Sequence, residues 1–256
     1  MKRNSVWGIM YPIACYYLIS AFVFFALNIL WGESQEIYML KQLISSGATI
    51  PFLVSVWKQE KYIEDVVYGK QKAQIGKVLQ QFILSALSIG AFGMALNNFI
   101  AMTPLVQVSA GFQNANENFF AGEMAIQILA SCVVVPVTEE LLFRGIILRR
   151  AVMMSGEKMG ILCSALLFGI IHMNLVQFLY AAVLGVLLAI LVLKTKKVSL
   201  TIIGHASANL IAILRAGTGI FDFSYQTDWK GIGFSILAVI VGGIAMWSLF
   251  KEEKSL

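Results

Sequence analysis

Apolar runs long enough to cross a bilayer follow one another along almost the whole chain, and no other feature limits its fold as strongly. A helix needs about 20 mostly apolar residues to traverse the hydrocarbon core. Spans of this kind read as Val6–Trp31; Ile37–Trp57, interrupted by Lys41; and about Val78 to Met102. A fourth begins near Phe119 and stays apolar through Pro136. Met159 to Leu193 reads as two spans in a hairpin turning near His172 to Val176, followed by Val198–Leu214 and Gly231–Phe250. The expected fold is an all-α, polytopic transmembrane bundle of about eight spans, a single integral membrane domain over residues 1–256; seven spans with a re-entrant fifth–sixth hairpin is the alternative. Only 13% of residues are charged and 59% are hydrophobic, against about one quarter charged in a soluble domain. That is too little charge for the surface of a soluble particle and too much hydrophobicity for a disordered chain. Cys15, Cys132 and Cys163 lie far apart, each in an apolar run, without disulfide-framework or metal-ligand spacing.

The formal net charge of +5 sits between the apolar runs, the pattern of membrane loops and not of a nucleic-acid partner. Lys2 and Arg3 precede the first span, and the next loop has Glu33 and Glu36 but no base. The stretch Lys58 to Lys77 is lysine-rich, whereas Thr103 to Asn118 has no Lys or Arg. Arg149 to Lys158 and Lys194 to Lys197 are basic, the connection holding Arg215, Asp222, Asp228 and Lys230 is mixed, and the tail carries Lys251 and Lys254. Excess Lys and Arg marks the cytoplasmic side, so both termini are expected there, with an even number of spans. The first run is too long for a signal-peptide core and lacks a convincing small-residue cleavage site, so it reads as a retained helix.

Ionisable residues inside spans are costly and usually functional. Here they fall into three clusters. In Thr138-Glu139-Glu140-Leu141-Leu142-Phe143-Arg144, Glu140 and Arg144 are four apart and share a helix face, with the acid N-terminal to the base, the better order. Glu139 points about 100° away, without an obvious local partner, and is available for proton chemistry. The plainer reading, two end-cap charges, is disfavoured because Ile146, Ile147 and Leu148 follow before Arg149 and Arg150. The second cluster runs from Phe168 to His172, with Asn174 and Gln177 after it. The third is His205-Ala206-Ser207-Ala208-Asn209. A lone apolar-segment histidine is ordinarily a satisfied core residue. These are the chain's only two, and each has amide companions. Counted from the basic loops at about 1.5 Å per residue, Glu139, His172 and His205 lie roughly 15, 20 and 12 Å deep. Three helices therefore bring them to a similar level.

These clusters resemble the CPBP family of intramembrane proteases, also called the Abi or CAAX prenyl protease 2 family. Its signature is Glu-Glu-x-x-x-Arg, then Phe-x-x-x-His, then His-x-x-x-Asn or Asp. The corresponding residues are Glu139-Glu140 and Arg144, Phe168 and His172, and His205 and Asn209. Asn174, Gln177, Gly185 and Ser199-Leu200 are lesser points of likeness. One departure is the turn Thr195-Lys196-Lys197-Val198, where many relatives have glycine after the threonine. The first half of the chain carries no family motif. Residues 119–214 are the expected catalytic core.

The resemblance implies an endopeptidase acting on a membrane-associated peptide or protein, embedded in the lipid bilayer, here of a bacterial plasma membrane. Eukaryotic relatives cleave prenylated Cys-a-a-X tails; bacterial relatives are linked to bacteriocin or pheromone maturation and to self-immunity. Amide hydrolysis needs an activated water and donors for an oxyanion. Glu139 is the candidate base, His172 holds the water and returns a proton, and His205 with Asn209 stabilises the oxyanion. Arg144 holds Glu140 and thereby the helix. Ser207 lies on another face, so a Ser–His arrangement is not expected. Glu139, His172 and His205 also make a zinc set with one open position, though the His-Glu-x-x-His helix is absent; the cofactor-free mechanism is favoured. A proton-coupled transporter would bury the same residues but predicts inverted repeats, and the polar motifs occur only after residue 138. An inactive binding or immunity protein on this scaffold is the third reading. Because the depths are counted from the basic loops, the site is expected to open from the cytoplasmic leaflet.

Overall fold

The computed structural model describes residues 5–68 and 77–254, with side chains over 5–62 and 77–251. Lys2, Arg3, Lys70 and Lys72, part of the loop-charge argument, lie outside the described residues. All regular structure among the described residues is helical. Helix α1 (Val6–Trp31) starts at Ser5, whose side chain accepts the Gly8 N–H at 3.2 Å. The second span divides into α2 (Tyr38–Gly47) and α3 (Ile50–Tyr68). The break falls just before Pro51, which sits in the first turn of α3, where its missing N–H has no partner to lose.

The first part of the polar stretch after Trp57, expected to be a loop, continues α3 as far as Tyr68. Glu60 is buried and accepts from Arg150 Nη2 at 2.7 Å and Nε at 3.0 Å. Arg150 also donates to the Gly8 carbonyl and to Tyr11 Oη. It is therefore not a free interfacial base but a buried bolt between α1, α3 and the later helices.

Helix α4 (Val78–Ala101) is followed by two short helices, α5 (Leu105–Val108) and α6 (Ala110–Phe120). The fourth span therefore starts at Met124, not near Phe119. Helical backbone then runs from Met124 to Ile170. It comprises α7 (Met124–Ile128), α8 (Val135–Glu140) and α9 (Leu148–Ile170), joined by wider i→i+5 turns over Leu129–Val134 and Leu141–Ile147. Helices α10 (Leu175–Thr195), α11 (Val198–Thr218) and α12 (Trp229–Lys254) complete the bundle.

Among the described residues, seven helical stretches are long and apolar enough to cross a membrane, where about eight spans are expected. The difference lies at Gly156, whose φ of 82° and ψ of 170° interrupt the 47-residue stretch. A residue without Cβ takes that conformation readily. The rod after it, up to Ile170, is only about 21 Å long, shorter than the roughly 30 Å hydrocarbon core. It forms a hairpin with α10 whose turn, residues 171–174, coincides with the expected one.

The outside of the bundle is apolar, as a lipid-facing surface must be. Leu18, Phe22, Leu79 and Trp247 are 71%, 74%, 71% and 63% exposed. Exposed Trp229 and Trp247 bracket about 27 Å of α12, the spacing of interfacial aromatic anchors. Inside, α4 and α11 approach through small residues. A Cβ on Gly93 would stand 2.8 Å from Ala208 Cβ, and one on Gly204 would stand 2.7 Å from Ile89 Cγ1. Ser85 Oγ donates across this contact to the Leu200 carbonyl at 2.6 Å.

The turn that departs from the family pattern has a backbone explanation. Lys196 ends α10 in the left-handed region, φ 58° and ψ 15°, its N–H donating to the Val192 carbonyl at 2.7 Å. A side chain there costs roughly 1–2 kcal/mol. Lys196→Gly is expected to stabilise the protein by about 1 kcal/mol, read as a higher Tm in detergent; an unchanged or lower Tm would contradict this. For topology, reporter fusions at Lys77 and Lys254 are both expected to read cytoplasmic, and an external signal at either would overturn the loop-charge orientation.

Candidate active site

Helix α8 carries Thr138, Glu139 and Glu140 between the two stretches of i→i+5 turns. Such turns are rare and often occur at functional sites, because they change the direction in which successive side chains point. Glu140 is fully buried. Its Oε1 accepts from Arg144 Nη1 at 3.1 Å and from His205 Nδ1 at 2.9 Å. Arg144, also fully buried, donates through Nη2 to the Gly185 carbonyl at 3.3 Å and stacks on Phe168, 4.3 Å from the ring centroid. Gly185 leaves the space this needs: a Cβ there would meet Ala165 Cα at 3.2 Å and Arg144 Nη2 at 3.3 Å. The Glu140–Arg144 pair is visible in the sequence spacing. Its extension to His205, on α11, is not.

Glu139 turns away from Arg144. Its Oε2 lies 3.8 Å from His205 Nε2, so the carboxylate without a local partner meets a histidine from α11. His205 thus stands between the two glutamates, with Nδ1 on Glu140 and Nε2 toward Glu139.

His172 lies at the end of α9, its Nδ1 2.9 Å from the Phe168 carbonyl. A carbonyl oxygen only accepts, so Nδ1 carries the proton and Nε2 is left free. Met173, left-handed at φ 58°, makes the sharp turn. Asn174 then caps α10: its Oδ1 accepts the Gln177 N–H at 2.9 Å, and its Nδ2 donates to the His172 carbonyl at 3.0 Å. Asn174 thereby shapes the turn that presents His172. Phe168 packs edge-on against both histidines, at centroid distances of 5.3 Å and 5.7 Å. Asn209 donates through Nδ2 to the Ser131 carbonyl at 2.7 Å, leaving its second amide proton. Ser207 points at α4, donating to the Ala86 carbonyl at 2.8 Å.

Glu139, His172, His205 and Asn209 all line one cavity of about 1070 Å³, at the upper end of the range for ligand pockets. Glu140 and Arg144 lie behind its wall. Tyr16 and Tyr17 of α1 and Tyr180 of α10 also line it, with Tyr16 and Tyr17 in electrostatic reach of Glu139. No motif marks these tyrosines in the sequence; only their place in an apolar run does. From Glu139 the cavity runs toward α5 and α6, the end with no Lys or Arg between Thr103 and Asn118, and away from the basic loops.

Among the described residues, no group of three or more His, Cys, Asp and Glu side chains is gathered so as to hold a metal ion. Glu139 and His205 form a pair, with Oε2 3.8 Å from Nε2.

Fold and site together define a polytopic helical membrane protein with a buried Glu/His centre beside a large cavity. Residues 121–211, which contain all three motifs, match the family described as Type II CAAX prenyl endopeptidase Rce1-like, in agreement with the resemblance that the motifs carry. No curated protein and no solved structure matches the chain.

Removing one partner of a buried ion pair costs about 3–5 kcal/mol. Glu140→Gln should therefore lower stability by that order, since both Arg144 and His205 lose their carboxylate. Thermal melts against the wild type check this; an unchanged Tm would mean that the pair does not anchor the helices.

Proposed function

We propose that the chain hydrolyses a peptide bond of a membrane-associated peptide or protein with a water activated by Glu139. The observation that carries this reading is the sharing of one cavity by Glu139, His172, His205 and Asn209, while Glu140 is occupied by Arg144 and His205. Of the two adjacent carboxylates, one is held by fixed donors and the other faces space where water and a substrate amide can sit. That division suits a general base.

In the proposed step, Glu139 takes a proton as the water oxygen bonds to the scissile carbonyl carbon, giving a tetrahedral oxyanion. His172, with Nδ1 fixed on Phe168, offers Nε2 to orient that water. His205 is held at Nδ1 by Glu140; with its second proton in place, it donates Nε2–H to the oxyanion. The free amide proton of Asn209 is the second donor. The carbon–nitrogen bond then breaks, and the proton on Glu139 passes to the leaving amine, directly or through His172. Both fragments leave, and the carboxylate is restored. Phe168 and Arg144 keep the two rings in register without touching substrate. The chemistry is common to CAAX-type processing, to bacteriocin or pheromone maturation and to self-immunity, and the site works the same way in a bacterial plasma membrane.

Glu139→Gln is expected to fold normally and to abolish turnover, because an amide cannot accept the proton. Asn209→Ala should lower kcat by about 10²–10³, the loss typical of one oxyanion donor, with little change in KM. Both are read by cleavage of candidate peptides with detergent-purified protein. The same preparation, analysed for metal and assayed after chelation and zinc add-back, decides between the two mechanisms. One tightly held zinc per chain, with activity lost on removal and recovered on return, would overturn the glutamate mechanism while leaving the family assignment intact. An active Glu139→Gln beside a folded but inactive Glu140→Gln would reverse the two roles.

A further inference from the structure

Helix α1 is attached to the bundle unevenly along its length. Its buried residues are Gly8, Ile9, Pro12, Ile13 and Tyr16; none of residues 17–31 is buried. One face of this second half lines the cavity through Tyr17, Ser20, Phe24 and Asn28. The other turns Leu18, Phe22, Ile29 and Leu30 outward, all of them exposed. Phe25 does both: it lines the cavity and is 64% exposed. The second half is therefore a wall one helix thick, with the cavity on one side and lipid on the other.

The two halves are also fastened differently. Pro12 has no N–H, so the Gly8 carbonyl lacks its helical donor. Arg150 donates to that carbonyl instead, and its guanidinium is itself paired with the Glu60 carboxylate. Tyr16 hydrogen-bonds Thr138 and Ser46. The first half is thus bolted, by way of a buried ion pair, at the turn that proline weakens. The second half is held by Lys41 of α2, which is 2% exposed. Its Nζ donates to Asn28 Oδ1 at 2.7 Å and to the Gly32 carbonyl, and lies 6.0 Å from the Phe24 ring centroid. These partners all belong to α1 or to the residue that ends it, and none is a carboxylate. The ammonium sits at the C-terminal end of α1, where the helix dipole favours a cation. Beside it, Phe24 packs edge-on against Tyr38, with centroids 5.6 Å apart.

A pivot at Pro12 has a long lever. From there Tyr16 lies about 6 Å along the axis and Trp31 about 29 Å. A tilt that moves Tyr16 by about 2 Å moves Trp31 by about 10 Å, the width of a helix with its side chains. Gly32, left-handed at φ 73°, and the residues up to 37 lie outside any helix, so the end of α1 can shift without unwinding α2.

We propose that the second half of α1 is a lateral gate. It pivots on the turn at Pro12, is latched by Lys41, and on release opens the cavity to the bilayer, so that an apolar, bilayer-embedded stretch of substrate passes to Glu139 directly from lipid. The gate stands on the packing of α1; what passes through it rests on the protease reading above.

The test uses the full chain in lipid nanodiscs, with Cys15, Cys132 and Cys163 replaced by Ala. Spin labels on Ile29→Cys and Trp229→Cys, both at exposed positions, report the far end of α1 against α12 by pulsed dipolar spectroscopy. Met10→Cys with Trp229→Cys reports the part before the pivot. Lys41→Met removes the latch; Asn28→Leu removes it from the other side and serves where Lys41→Met does not fold. Either change should shift or broaden the Ile29 distance by about 5–10 Å, with the Met10 distance unchanged. An unchanged Ile29 distance in both variants, or an equal change at Met10, would overturn the gate. In a second arm, Phe24→Cys and Tyr38→Cys are joined by a short, thiol-cleavable bis-thiosulfonate that ties α1 to α2. Cleavage of a peptide anchored in the same nanodisc by an apolar segment should fall about ten-fold or more on cross-linking, as for a blocked lid, and return on reduction. Undiminished cleavage by the cross-linked protein would overturn the gate. Latch-dependent movement with no peptide cleaved, by the wild type or any variant, would leave the gate intact and remove the protease reading.

Discussion

Glu140 is a carboxylate with no exposure to solvent, and the arrangement of the later helices follows from how its charge is met. Taking one ion out of water costs several kcal/mol even after relaxation, so a buried carboxylate has to be surrounded by donors. Arg144 supplies one from the same helical stretch, and His205 supplies another from α11. Arg144 in turn needs partners for its remaining donors and its faces. It finds the Gly185 carbonyl on α10 and the Phe168 ring on α9. One charge thus recruits four helical segments. The geometry around Glu139 is a consequence: with α8 and α11 pinned by Glu140 and His205, the neighbouring carboxylate and the far edge of the same imidazole are brought within 3.8 Å.

The first half of the chain contributes by making room and walls. Small residues let α4 lie close to α11, with Gly93 against Ala208 and Gly204 against Ile89, the packing expected where lipid gives no hydrophobic drive between helices. At the far end of α11, Arg215 is buried. Its Nη1 donates to Asn98 of α4 at 2.7 Å and its Nη2 to Ser224 at 2.8 Å, and its guanidinium stacks 3.9 Å from the Tyr225 ring centroid. These contacts fasten the connection after α11 to α4 beside the cavity mouth, where Tyr225 joins the lining. Read in the sequence, Arg215 is one charge of a mixed loop; in the fold it is the last turn of a helix and a tether.

How far the sequence discloses this depends on the range of each interaction. Apolar run length is a local property, and it gives the helical membrane class directly. The Glu140–Arg144 pair is also local, four residues apart on one helix. The convergence of Glu139, His172 and His205 could be anticipated because depth in a bilayer converts residue counts into a common coordinate. That coordinate says nothing about azimuth, so the bridging of both glutamates by His205 and the presence of Tyr16 and Tyr17 beside Glu139 were not legible. Helix boundaries failed where a distant partner changed the balance. Glu60 keeps α3 helical through a polar stretch because Arg150, 90 residues away, needs its carboxylate. Gly156 divides a 47-residue helix through one backbone angle that hydropathy does not register. The extent of the void is likewise not a local property: its lining reaches from Glu139 to Phe112 and Phe120 of α6, which no count of depth along one helix registers.

Hydrolysis inside a membrane also has to be supplied with water, and the two surfaces of the bundle answer that need differently. The lipid-facing side is built from residues such as Leu18, Phe22 and Leu79, which offer water no partner. The cavity wall interleaves its rings with Asn28, Gln42, Asn97, Asn116 and Gln177. Neutral amides of this kind can donate to and accept from water along the path, and they add no charge that would compete with Glu139 for the histidines or for the developing oxyanion. In the proposed reaction, water at the bottom of the cavity meets a carboxylate that no arginine holds. An arginine paired with Glu139 would stabilise its charged form and weaken it as a base; the arginine four residues from Glu140 is directed away by one helical position. The separation of an anchoring glutamate from a facing one therefore serves both the fold and the proposed chemistry.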